Sequence, residues 1–164
     1  MKRFSAILSL LFISGLLFGC SSSSLISNKQ EDTVLYSFCG ENENCSIKNG
    51  VFLMSPQEKV LYGGILSVDE EEFKDITAFT TSFYVSLDDG KEILLSNSIS
   101  DLTGNPLNLN KETGSISGGS FAPDILKHFE DNLFFELNAY DKNGNNKILT
   151  IPMNVTLITM EKDK

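Results

Sequence analysis

Alternation of apolar and polar residues in the last third of the chain constrains the fold most. From Leu133 to Tyr140, Leu133, Phe135, Leu137 and Ala139 occupy one set of alternate positions, and Glu136 and Asn138 the other. From Ile148 to Thr159, Leu149, Ile151, Met153, Val155 and Leu157 share one face, and Thr150, Asn154 and Thr156 share the other. A period of two turns one set to a core and the other to water when the chain is an extended strand. The turn-rich Asp141-Lys-Asn-Gly-Asn-Asn-Lys147 between the two runs predicts a hairpin. Pro152 has no N–H for a ladder, which predicts an edge strand or a position facing away from its neighbour.

A second hairpin is predicted over 76–96. Phe79, Thr81, Phe83, Val85 and Leu87 share a face, Asp89-Gly90 is a tight-turn signal, and Glu92 to Ser96 returns. Further strands are expected at VLYSF (34–38), VFLM (51–54) and VLYGGILSV (60–68), with short stretches at 99–102 and near Leu107. Gly63-Gly64 predicts a bulge or break in the third of these. One helix is expected over 121–131, with Pro123 and Asp124 in its first turn and Ile125, Leu126 and Phe129 capping one end. The expected fold class is all-β: seven to eight short strands in a two-sheet sandwich with one short helix over 33–160, then a polar tail, 161–164. The segment NLFFELNAYDKNGN and the strand after it, 132–159, resemble the closing hairpin of bacterial immunoglobulin-like and fibronectin-III-like domains. That resemblance implies an immunoglobulin-like sandwich, although the chain has no Trp to take the place of the buried Trp of true immunoglobulin domains.

The other end of the chain concerns location. Lys2 and Arg3 precede FSAILSLLFISGLLFG (4–19), which carries no charge. Sixteen residues at a helical rise of ~1.5 Å span ~24 Å, short of a ~30 Å hydrocarbon core, so 1–19 reads as a removable secretory leader. Its end, Leu17-Phe18-Gly19-Cys20, resembles the lipobox of bacterial lipoproteins. The resemblance implies cleavage before Cys20, with Leu17 and Gly19 as signal-peptidase recognition positions and Cys20 as the lipidated residue. Ser21 stands where inner-membrane retention in enteric-type bacteria uses Asp, which implies the outer membrane, facing the periplasm or the cell surface. Ser-rich 21–32 then reads as a flexible tether, so 20–32 is anchor and tether together.

Cys39 and Cys45 remain, in a compartment where disulfides persist. The polar, Gly-containing loop between them can turn back, which predicts a local disulfide. Zinc is the competing idea, poorly served by two Cys and a single distant His128.

Composition sets the remaining limits. The chain is 41% hydrophobic with 12 Phe, which excludes wholesale disorder. Its net charge is −9; without Lys2 and Arg3, 11 Lys face 22 acids, giving −11 and no Arg. Nucleic-acid recognition rests on Arg and Lys fields and is excluded as a function class. No G-x-S-x-G elbow or phosphate-cradling Gly loop occurs, and any triad would have to use His128 between Lys127 and Phe129. Acidic 69–75 could offer oxygen ligands to Ca²⁺, yet its acids are consecutive rather than spaced. Asp141-x-Asn143-x-Asn145 opens like a Ca²⁺ loop, but Gly144 stands at the fourth position and no Glu at the twelfth. No cofactor or metal is expected. The resulting expectation is a lipid-anchored, non-enzymatic protein-binding or assembly module of the cell envelope. The alternative is a small-ligand binder or an inhibitor of a basic host enzyme such as lysozyme, steered by the acidic surface.

Overall fold

Residues 33–55, 58–118 and 125–158 are described by a computed structural model. The expected leader 1–19 with Leu17 and Gly19, the expected lipidation residue Cys20, the expected tether to 32, the first turn of the expected helix at 121–124 and the expected tail 161–164 lie outside the described residues.

Where the alternation is strongest, strands form. β1 is Val34–Glu41, β2 Cys45–Met54, β3 Lys59–Tyr62, β4 Ile65–Val68, β5 Ile76–Leu87, β6 Gly90–Ser100, β7 Lys111–Glu112, β8 Ser115–Ser117, β9 Leu133–Asp141, β10 Asn146–Pro152 and β11 Asn154–Ile158. A one-turn helix, α1, covers Glu70–Phe73, and α2 covers Ile125–Asn132. The eleven strands make two antiparallel sheets, so the all-β sandwich is the fold. One sheet has four strands in the order β10-β9-β5-β6. The other has seven, with β11-β1-β2-β3-β8 as its main path, while β4 pairs with β2 and β7 with β4.

The count exceeds seven to eight for a local reason. β3 and β4 pair with successive halves of β2 and are one line interrupted at Gly63-Gly64, the break expected there. Gly64 has φ of +83°, and a Cβ on it would strike the backbone of Lys48 and Gly50. β7 and β8 are likewise one line interrupted at Thr113-Gly114.

Several boundaries differ from expectation: β1 and β2 are longer than 34–38 and 51–54, no strand forms near Leu107, and two further differences concern the sheet partners. The run 148–159 is not one strand: it leaves the four-stranded sheet at Pro152 and joins the seven-stranded sheet as β11, beside β1. Pro152 is the last residue of an edge strand, and the next donor, Met153 N–H, goes to the Leu133 carbonyl at 2.9 Å. β6 runs unbroken through 99–100. Leu94 is its extra residue, since Phe83 faces Leu95 and Tyr84 faces Ile93. The bulge turns Leu94 into the core.

Aromatic rings join the two sheets. Phe129 of α2 lies 4.7 Å from Phe52, 5.5 Å from Tyr36 and 6.3 Å from Phe38, centroid to centroid. Phe38 meets Phe83 across the sandwich at 5.6 Å, and Phe83 meets Phe135 at 5.1 Å. Phe52, Phe83, Phe129 and Phe135 are fully buried, and removing each from water contributes about 1.5–3 kcal/mol. α2 thus packs against the core through Ile125 and Phe129, both fully buried.

Candidate binding surface

The outward face of the four-stranded sheet forms a lattice set by register. Its rows, from β6 to β10, begin with Ile93, Tyr84, Phe134 and Pro152 and continue with Ser96, Ser82, Glu136 and Thr150. Below them lie Ser98, Thr80, Asn138 and Ile148, then Ser100, Ala78, Tyr140 and Asn146. Sequence alternation places these residues opposite the core set but does not say which strands are neighbours. Pairing is what collects them into one surface.

The surface is hydroxyl-rich with an aromatic head. Tyr84 and Phe134 stack at 5.5 Å with planes 15° apart. Lys91 Nζ sits 4.6 Å from the Tyr84 ring centre and 3.1 Å from Glu136 Oε2, neutralising the one carboxylate of the lattice. Thr80 and Ser98 hydroxyls are 2.8 Å apart, and those of Ser82 and Ser96 3.1 Å apart. Asn138 Nδ2 donates to the Tyr140 hydroxyl at 3.0 Å, while its buried Oδ1 has no partner. Ile93 and Ile148 stand out from the lattice with more than half their area in water. Short polar side chains and exposed aliphatic groups thus stand side by side on this face.

The residues singled out as chemical candidates are separated. Cys39 and Cys45 are free thiols, so the expected disulfide is not formed. The pleat explains this: Cys39 lies between buried Phe38 and Gly40 and faces out, whereas Cys45 faces the core with Ile47. Burial pushes the Cys45 thiol up to about 12. His128 is half-buried on α2. Acidic 69–75 is structured around α1, where Asp69 caps the helix by accepting from Glu71 N–H at 2.9 Å and Glu72 N–H at 3.1 Å. Glu71 pairs with Lys74 and Glu72 with Lys147, while Phe73 enters the core. Asp141 takes up its own turn: Oδ1 accepts from Asn143 and Asn145 N–H, and Oδ2 from Asn145 Nδ2. These bonds, led by the one from the Asn145 side chain, hold its carboxyl below the usual range. Among the described residues no group of three or more His, Cys, Asp or Glu is gathered to hold a metal.

Surface cavities among the described residues lie mainly away from the lattice. One of about 300 Å³ lies between α1 and Pro106–Asn110, one of about 380 Å³ beside Cys39, Lys48 and Asn154, and one of about 220 Å³ between α1 and the Asp141 turn. His128 lines none of these three. No helix of the described residues is long and apolar enough to cross a membrane. No protein-family model, no curated protein and no solved structure matches this chain.

Proposed function

We propose that this chain is a lipid-anchored protein of the cell envelope that works as a non-enzymatic protein-binding or assembly module. The observation that carries the binding role is the outward lattice of the four-stranded sheet, sixteen positions with one paired carboxylate and exposed Ile93 and Ile148. Its two outer strands, β6 and β10, also present edges on which a partner strand can pair. The anchor rests on Leu17-Phe18-Gly19-Cys20 and the uncharged run before it. Small anchored sandwiches with such faces are suited to be accessory or anchoring subunits of larger envelope assemblies.

A photo-crosslinker placed at Ser98 in the native envelope tests the binding role. A single discrete adduct that disappears in a Tyr84→Ala, Phe134→Ala variant is the expected result. Absence of any adduct from Ser98, Ile93 and Ile148 sinks the reading. The net charge of −9 supports a second reading, inhibition of a basic enzyme such as lysozyme. Undiminished lysozyme activity under micromolar excess of this protein ends it.

A further inference from the structure

The outward face of the seven-stranded sheet has a different chemistry. Ile158, Leu35, Leu53 and Val60 align in one row across β11, β1, β2 and β3, and Ser117 of β8 ends it. The next row is Thr156, Ser37, Val51, Tyr62 and Ser115. These ten side chains include no charged group, although 21% of the chain is charged. Tyr36, Phe52 and Leu61, at the alternate positions, fill the core, so the aliphatic row lies on the far side of the sheet. Ile158 is exposed, and Leu35, Leu53 and Val60 are half-buried. With strands ~4.8 Å apart, the row is ~14 Å wide. The solvent side of an antiparallel sheet is ordinarily polar, and a contiguous apolar stretch there marks a contact surface.

Chain connectivity indicates which contact. The row lies where β1 begins and β11 finishes. The twelve residues 21–32 between Cys20 and the domain reach ~40 Å when fully extended. The acidic helix α1 follows β4, whose last residue Val68 pairs with Cys45, at the end of β2 remote from Leu53. We infer that the Ile158–Leu35–Leu53–Val60 row is a membrane-docking face, which rests on the interfacial region of the bilayer that holds the acylated Cys20. The inference depends on the lipid-anchor reading. A tether this short keeps the face at high effective concentration near the bilayer, so four partly exposed aliphatic groups are sufficient for a weak, reversible contact. Docking this way leaves the hydroxyl-rich lattice, on the opposite side of the sandwich, turned to the partner.

The test uses the acylated full-length protein on phosphatidylethanolamine–phosphatidylglycerol vesicles that contain a nitroxide-headgroup lipid. In a Cys39→Ser background, Ser117→Cys and Ser98→Cys each carry a fluorophore; both serines are exposed, one on each sheet. Several-fold stronger quenching at position 117 than at 98 is expected. Leu53→Glu should equalise the two without loss of flotation. Equal quenching in protein that floats with the vesicles overturns docking and leaves the anchor standing. Failure to float overturns the anchor, and docking with it. A position-117 signal that depends on protein concentration but not on nitroxide lipid assigns the face to a second copy of the chain and overturns docking.

Discussion

A methyl group on Gly50 would land in the ring of Phe38, with which Gly50 is paired across β1 and β2. Gly50→Ala therefore displaces a ring that touches Phe83 and Phe129, and it should cost about 1–3 kcal/mol, read as a lower urea midpoint at unchanged slope. Cys45 makes a different prediction. Its folded-state value is raised from 9.0 to about 12 by burial, so the folded protein keeps the thiol neutral while the unfolded chain ionises. Its contribution is full below pH 9, declines above it and is lost by about pH 12. Stability should fall across that window, and less so in Cys45→Ala. Alkylation at pH 8 should modify Cys39 but not Cys45 in the native state, and both of these thiols in denaturant. The expected bridge between these two failed on parity. Spacing along the chain shows that a loop can close, but only the pleat decides that the two sulfurs point to opposite faces.

At the scale of elements, the turn 141–145 ties β9 to β10 through one carboxylate. Because these bonds depress its folded-state value below the ordinary 3.8, Asp141 stabilises the protein fully above that pH, and the contribution is lost as pH falls through the lower folded value. The melting temperature should drop below pH 4, and Asp141→Asn should flatten part of that drop. Alternation made β9 and β5 legible, including the inward faces of Phe135, Leu137, Phe79 and Phe83. It was blind to the change of sheet at Pro152. Both sheets line one core, so Ile151, Met153 and Val155 keep the same period while the backbone changes partners. The early half of β2 escaped notice because Lys48, Asn49 and Gly50 break the pattern, with Asn49 at φ of +60°. The two outward faces were legible only as polar or apolar sets, since membership of a common surface depends on long-range register.

For the molecule as a whole, the first and last strands of the described residues are neighbours. β11 covers one edge of β1 through five residue pairs, from Leu35 with Ile158 to Cys39 with Asn154. A chain ending at Met153 should lose its cooperative thermal transition and associate through the bared β1 edge, measurable by circular dichroism and size-exclusion chromatography. This pairing also has a temporal consequence. A ribosome releases β1 long before it finishes β11, and until then β1 can zip only to β2 while its other flank waits. Contacts so distant along the chain form slowly, which delays closure of this sheet until β11 has emerged. Until β11 arrives, the open flank of β1 is a template that any passing strand can occupy, so the order in which the segments appear sets how long the sheet stays vulnerable.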